Sequence, residues 1–365
     1  MHNLIGHPGA PQTVDLPDSF DAINDYFYEQ GWTDGLPIVP PTEERVARML
    51  NGMAWRDADA LIAVIPPAMG QATLRKIATN CVMAGCRPEY LPVVVASIEA
   101  VSEPLYGLAH RQTTTHAGAP LIIVNGPLVK QLKINYGNGV FGPGWRANAT
   151  IGRALRLCWV NIGGAYPGVI SMSTFGGPGR YSYCIGENEE ASPWEPLHVE
   201  HGFDPGESTV AVLAAEAPQI VADTRSRSAL ELLATIARSL EVVAHHKATG
   251  LGDTALVFSP EHVTTLAADG WSKARVRQFL WERLRKPVRD LLPGRDGGEG
   301  LSDEALAAFP EGACSEALVP KFQAPERLKL LVAGGPAGRF TAILPGWPFR
   351  NAPSRLVFRK IGPSF

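Results

Sequence analysis

The fold is best read from three neighbouring stretches: "STVAVLA" (208–214), "SALELLATIARSLEVVAHH" (228–246) and "TALVFS" (254–259). The first and third are short apolar runs rich in β-branched residues, as in buried strands. The middle one has apolar residues at helical spacing, and Ser228 and Glu231 stand where a capping box is expected. A strand, a helix and a second strand in succession predict βαβ crossovers and a mostly parallel sheet.

The same alternation continues on both sides of these stretches. "LKLLVAGGPAGRFTAIL" (328–344) predicts a strand, a glycine turn and a second strand. The N-terminal half mixes shorter helices and strands with long loops rich in glycine and proline. We therefore predict an α/β protein with two lobes. Residues 1–205 would form a mixed α/β domain that carries the glycine-rich loops, and residues 206–365 a βαβ domain.

Composition narrows the functional class. The 365 residues carry a net charge of −3. This charge does not predict the positive electrostatic potential that attracts nucleic acid or an anionic membrane. The N-terminal residues lack the pattern of a signal peptide, and no apolar run approaches the ~20 residues that span a bilayer. The 5 cysteines are scattered without a CxxC pair, which is typical of reduced thiols. We expect a cytoplasmic protein.

A glycine-rich loop precedes a helix in "GNGVFGPGWRANATIGRAL" (137–155). It contains the GxGxxG spacing, but the acidic residue expected ~20 positions later in a dinucleotide fold is missing, so no NAD is expected. The helix start predicts an anion site instead, because its free N–H groups and dipole attract negative charge. Arg146, Asn148 and Thr150 would line this site. The alternative is that Arg146 pairs with a nearby acid.

The stretch "STFGGPGRYSYCIGENEEASPW" (173–194) combines glycines, tyrosines, a thiol and carboxylates. Crowded carboxylates raise one another's pKa, so Glu187 and Glu190 are predicted to act as general acid or base. Cys184 is predicted to be a nucleophile. A solvated acidic turn is the alternative. A second hypothesis is a zinc or iron site formed by His116, His198 and Glu187.

A second thiol lies in "CVMAGCRPEY" (81–90). Cys86 precedes a helix that starts at a proline and is followed by Arg87, a setting that lowers the pKa of a thiol. Glu89 would cancel this effect if it paired with Arg87. His116, in "RQTTTHAGAP" (111–120), either satisfies local hydrogen bonds or moves protons at a site.

Four stretches together resemble an uncharacterised bacterial family: "GWTDGLPIVPPT", "VMAGCRPEY", "GPGWRANATIGRALRL" and "ENEEASPWEPLHVE". The resemblance covers most of the chain. That family is associated with small proteins that carry a UGSC-type selenocysteine or cysteine motif, and this chain has no such motif. The resemblance implies an enzyme-like protein with a small thiol or selenol redox protein as partner.

We expect the loops to converge on a pocket between the two lobes. The predicted reaction is thiol-dependent bond cleavage or reduction of a small polar or anionic metabolite. The catalytic residues would be Cys184, Cys86, His116, Glu187 and Glu190. The substrate-binding residues would be Asp34, Asn125, Asn135, Trp145, Arg146, Asn148, Thr150 and Tyr183.

Two other functions fit the same residues. One is a metal-dependent hydrolase or lyase that uses His116, His198 and a glutamate with zinc or iron. The other is a non-catalytic partner subunit of a redox complex, which would expose a broad apolar patch. We expect a homo-oligomer in either case.

Overall fold

A computed structural model describes residues 13–294, 296–347 and 353–362. Its helices are α1 (Phe20–Glu29), α2 (Glu43–Leu50), α3 (Leu74–Ala84), α4 (Leu91–Val101), α5 (Leu108–Gln112), α6 (Leu128–Gln131), α7 (Arg146–Asn161), α8 (Leu197–Glu200), α9 (Ala229–Glu241), α10 (Pro260–Ala268), α11 (Lys273–Arg283) and α12 (Asp303–Ala307). Its strands are β1 (Leu61–Ile65), β2 (Gly70–Thr73), β3 (Ala119–Asn125), β4 (Cys184–Gly186), β5 (Thr209–Ala215), β6 (Gln219–Ala222), β7 (Thr254–Phe258), β8 (Arg285–Pro287), β9 (Leu318–Pro320), β10 (Leu328–Val332), β11 (Phe340–Leu344) and β12 (Val357–Lys360).

The chain forms two compact units, and each unit takes residues from separate parts of the sequence. The first consists of Met1–Gly186, His201–Ala214 and Leu356–Phe365, and the second of Glu187–Glu200 and Ala215–Arg355. The boundary predicted after residue 205 therefore falls inside a segment of the first unit.

The first unit is built on a four-stranded sheet with the order β12-β5-β3-β4. β3 runs parallel to β4, whereas β12 runs antiparallel to β5. Every residue of β3 and β5 is buried, as expected of strands covered on both faces. Apolar residues of α3, α4 and α7 join these strands in one hydrophobic core. β1 and β2 form a separate antiparallel hairpin.

The second unit has its own sheet, with the order β10-β7-β11-β6. β10 runs parallel to β7, but β11 runs antiparallel to both β7 and β6. The sheet is therefore mixed, and the prediction of a mostly parallel sheet is wrong in this detail. The reason is that β11 lies between β7 and β6 instead of extending the parallel pair. Apolar residues of α9, α10 and α11 form the core of this unit.

The α/β class predicted from the sequence is confirmed. The predicted capping box is also present: the Ser228 side chain accepts a hydrogen bond from the Glu231 N–H, and the Glu231 carboxylate accepts one from the Ser228 N–H. Both features depend on local sequence, which explains why they could be predicted.

A close contact between α7 and the segment before β4 fixes the interior of the first unit. A Cβ atom at Gly152 would lie 2.5 Å from both Ser182 Oγ and Tyr183 N. No side chain fits in that space. The glycine therefore lets the segment approach the helix backbone, where Ser182 Oγ donates a hydrogen bond to Asn148 O at 2.8 Å.

We expect Gly152→Ala to destabilise the protein by about 1–3 kcal/mol, because the added methyl group collides with backbone atoms. An ordinary glycine-to-alanine change inside a helix has the opposite sign and stabilises by up to about 1 kcal/mol. Urea unfolding followed by circular dichroism measures the difference. Gly206→Ala is the control, because nothing lies within 4 Å of its added Cβ. A Gly152→Ala variant as stable as the native chain would contradict the close contact.

Candidate functional site: a buried arginine cluster

Three arginines of the first unit surround the side chain of Tyr106. Arg111 lies in α5, Arg156 in α7, and Arg180 in a short 3-10 turn shortly before β4. Each of the three positive charges acts on the Tyr106 hydroxyl. Arg111 and Arg156 are buried, and Arg180 is half-buried. We call Tyr106, Arg111, Arg156 and Arg180 the arginine cluster.

Helical spacing places Arg156 in the interior. Gly152, Leu155, Arg156 and Trp159 recur at intervals of three and four residues, so they share one face of α7. All four are buried. The guanidinium of Arg156 lies 4.9 Å from the centre of the Trp159 ring, and its Nε donates to Arg180 O at 3.1 Å. The same face that builds the core therefore carries a positive charge into it.

Arg180 joins two loops of the first unit. Its Nη1 donates to Ser171 Oγ at 2.8 Å, its Nη2 donates to His116 O at 2.9 Å, and its Nε donates to Ala117 O at 3.4 Å. All of these acceptors are uncharged. Among the residues that the structure describes, no Asp or Glu forms an ion pair with Arg156 or Arg180.

Burial of the three guanidinium groups removes their hydration and so disfavours their charged form. Desolvation, and after it the positive charge of Arg180, lowers the pKa of Arg156 to about 10. Burial also lowers the pKa of Arg111 and of Arg180. A pKa of about 10 still leaves Arg156 charged at neutral pH. The cluster therefore carries a concentrated positive charge that is poorly hydrated.

Two buried hydrogen-bond donors beside the arginines have no acceptor among the residues that the structure describes. They are Tyr106 Oη and Trp159 Nε1, and both residues are only 1% exposed. Their rings meet edge to face, with centroids 6.2 Å apart. A buried donor without a partner costs about 1–3 kcal/mol. An anionic ligand would satisfy two such donors beside Arg156 and Arg180, since its oxygens accept hydrogen bonds and carry negative charge.

Asp34, predicted to bind substrate, has a structural role instead. Both of its carboxylate oxygens accept hydrogen bonds from Arg153, at 2.7 and 2.8 Å. Arg153 also donates to Leu36 O and Pro37 O. The pair fixes the loop of residues 34–37 against α7. The charge of Asp34 does favour the charged form of Arg156, but it is the weakest of the influences on that pKa.

The structure does not support Cys184 as a nucleophile. Cys184 begins β4, is 4% exposed, and belongs to the hydrophobic core of the first unit. Burial raises the pKa of its thiol, so the reactive thiolate is disfavoured. Sequence reasoning failed here because pairing of β4 with β3, which buries the thiol, is a long-range contact.

Asn135 and Asn148 use their amide groups within the fold. Asn148 Nδ2 donates to Asn135 O and to Cys184 O, and Asn148 Oδ1 accepts from Asn135 N at 2.7 Å. Asn135 Oδ1 accepts from Gly137 N, and its Nδ2 donates to Asn138 O. These bonds hold the glycine-rich loop onto α7. The amide groups that we predicted to bind substrate therefore make hydrogen bonds within the fold.

The remaining predicted binding residues are dispersed. Arg146 and Trp145 are exposed at the start of α7, where no side chain caps the helix. Thr150 Oγ1 donates to Arg146 O one turn earlier. Asn125 and Tyr183 are buried, and burial raises the pKa of Tyr183. The anion site predicted at the helix start has no further support, whereas Arg156 lies ten residues later on the same helix.

The backbone carbonyl of His116 contacts Arg180 of the arginine cluster. Its carbonyl accepts hydrogen bonds from Arg180 and from Ser173 Oγ, and its Nδ1 accepts from Gly118 N at 3.0 Å. The Nδ1 bond leaves the proton of the neutral ring on Nε2. Cys86 is half-buried, and its Sγ lies 3.3 Å from Thr150 O.

The predicted carboxylates belong to the second unit. Glu187 is buried, and its Oε2 accepts the N–H of Leu197 at 2.8 Å. His198 is also buried, with Nδ1 3.8 Å from Glu189 Oε1. Glu190 is exposed. Within the described part of the chain no three His, Cys, Asp or Glu side chains are grouped closely enough to hold a metal. The predicted zinc or iron site of His116, His198 and Glu187 is therefore not formed.

Sequence reasoning missed the arginine cluster. The available signal was an arginine on the apolar face of a helix, in "ATIGRALRLCW" (149–159).

Comparison with protein-family models, curated proteins and solved structures gave no match. In the described residues no helix has the length and apolar character needed to cross a membrane.

The ion pair of Asp34 and Arg153 gives a direct prediction. Asp34→Asn should lower the free energy of unfolding by about 2 kcal/mol, because Arg153 loses a largely buried charged partner. The side chains of this pair are 11% and 14% exposed. The control is Asp59→Asn, whose pair with Arg75 is 72% and 44% exposed and should contribute less than about 1 kcal/mol. Equal effects in urea unfolding would contradict a structural role for Asp34.

Proposed function

We propose that the first unit binds a small anionic metabolite at the arginine cluster. The observation that carries the proposal is the pair of buried donors without acceptors, Tyr106 Oη and Trp159 Nε1, beside Arg156. Guanidinium groups match carboxylate and phosphate oxygens well, so these are the anion classes expected. The surrounding aromatic rings favour a small ligand with a compact charged group.

The proposed activity is enzymatic, as the sequence indicated: thiol-dependent bond cleavage or reduction of the bound metabolite. Cys86 is the thiol that remains a candidate, because Cys184 is buried in the hydrophobic core. His116 is retained as the group that moves protons, since its backbone already contacts Arg180. We further propose a small thiol or selenol protein as the redox partner.

Anion binding should stabilise the folded protein. We expect inorganic phosphate to raise the unfolding midpoint in a saturable way, reaching about 2.7 kcal/mol at a phosphate concentration 100 times the Kd. Sodium chloride at equal ionic strength is the control. A dicarboxylate such as succinate distinguishes the two ligand classes. If phosphate and succinate act no differently from chloride, the proposed ligand class is wrong.

Two arginines one turn apart on α7 should respond oppositely to the same substitution. Arg156→Met should stabilise the anion-free protein by about 1–4 kcal/mol, because it removes an uncompensated buried charge. The variant should also lose its response to phosphate. Arg153→Met should destabilise the protein, because it leaves Asp34 without its partner. Loss of stability in Arg156→Met, with the phosphate response retained, would contradict the proposal.

A second candidate function, a partner subunit, is favoured by one observation. The loop of residues 166–181 exposes several apolar side chains: Val169, Ile170, Met172, Phe175 and Tyr181. Phe175 is 94% exposed. A group of exposed apolar side chains is found at protein–protein interaction sites more often than on surfaces that contact only solvent.

Phe175→Ser tests this candidate. If the loop binds a second copy of the chain, analytical ultracentrifugation should show an oligomer that weakens at least tenfold in the variant. Leu230→Ser is the control, because Leu230 is exposed on α9 of the second unit. A native chain that is monomeric at high concentration would remove the support for a homo-oligomer through this loop.

A further inference from the structure

Cys81 lies in the last turn of α3, and Cys86 follows the end of the helix by two residues. Gly85 has a φ of 86°, the left-handed conformation that glycine adopts readily. The Gly85 N–H donates to Val82 O, and the Cys86 N–H donates to Cys81 O, both at 2.9 Å. This pattern is a Schellman motif, in which the side chains at the positions of Cys81 and Cys86 commonly touch.

The side chain of Cys86 packs against the hydrophobic core that contains Cys81. Cys81 is fully buried, whereas Cys86 is half-buried and its Sγ also donates to Thr150 O on α7 at 3.3 Å. Burial, and after it the neighbouring Cys86 thiol, raises the pKa of Cys81. The pair therefore consists of a protonated inner thiol and an outer thiol that small reagents can reach.

We propose that Cys81 and Cys86 form a reversible oxidation site, in which hydrogen peroxide converts the two thiols to an intramolecular disulfide. The inference rests on the helix-terminal geometry and is independent of the anion site. A turn that already holds the two residues together lowers the entropy that ring closure loses.

Hydrogen peroxide oxidises the two thiols in two steps. The Cys86 sulfur attacks one peroxide oxygen, the O–O bond breaks, and a sulfenic acid and one water form. The Cys81 sulfur then attacks the Cys86 sulfur, and the sulfenic hydroxyl leaves with the Cys81 proton as a second water. The two thiols lose two electrons and two protons, and one peroxide is reduced to two waters.

Oxidation would change the contact between α3 and α7. The disulfide has no S–H group, so Thr150 O loses the hydrogen bond that Cys86 provides. A reductant such as dithiothreitol restores both thiols and that bond.

The experiment uses the full chain with Cys314→Ser, because Cys314 is exposed and would form intermolecular disulfides. The folded protein is treated with hydrogen peroxide, denatured, alkylated with N-ethylmaleimide and digested with trypsin. Arg87 precedes Pro88 and is not cut, so the peptide that follows Lys76 extends to Arg111 and contains Cys81 and Cys86 but no other cysteine. Mass spectrometry reads this peptide directly.

The expected result is an unalkylated peptide that lacks two hydrogen atoms and gains two alkyl groups after reduction. Cys86→Ser should abolish the product, and Cys158→Ser should leave it unchanged. The peptide from the chain with native Cys81 and Cys86 gives this result directly. The test therefore does not depend on whether a Cys81→Ala variant folds. A Cys86 sulfinic acid without a crosslink, a disulfide to Cys158 or Cys184, or two alkylated thiols after peroxide would each overturn the proposal.

Discussion

A guanidinium group taken out of water loses several kcal/mol of hydration unless a negative partner and hydrogen-bond acceptors replace the solvent. Around Tyr106, acceptors for Arg156 and Arg180 come from uncharged groups such as the carbonyls of Arg180 and His116. Among the described residues, neither Arg156 nor Arg180 forms an ion pair with an Asp or a Glu. Buried charged groups without a charged partner are found more often at functional sites than elsewhere in a fold. The arginine cluster is the candidate site for this reason.

The rest of the first unit is consistent with a site built around that cluster. Gly152 lets the segment before β4 lie against α7, which places Arg180 next to Arg156. Arg180 in turn binds carbonyls of the loop that carries His116. One turn away from Arg156, by contrast, the charge of Arg153 is paired with that of Asp34. Arg153 therefore has a charged partner, whereas Arg156 donates to the uncharged carbonyl of Arg180.

Local sequence signals gave the correct class of fold and missed the site. The capping box at Ser228 and the buried strand β3 follow from residues adjacent in sequence, so both were predictable. Cys184 was misjudged because its neighbours in sequence are carboxylates, while its neighbours in space are apolar. The orphan donors of Tyr106 and Trp159 depend on packing between α7 and a distant turn. No continuous stretch of the sequence predicts that packing. The arginine on the apolar face of α7 was the only part of the arrangement that the sequence indicated.

The most direct test follows the indole N–H of Trp159 by nuclear magnetic resonance. The signal is assigned with Trp159→Phe, and inorganic phosphate is added at constant ionic strength. We expect a saturable downfield shift of this resonance, because the buried donor gains an acceptor, and no shift in Arg156→Met. A Trp159 resonance that stays in place while phosphate stabilises the fold would show that the anion binds elsewhere and would contradict the central claim.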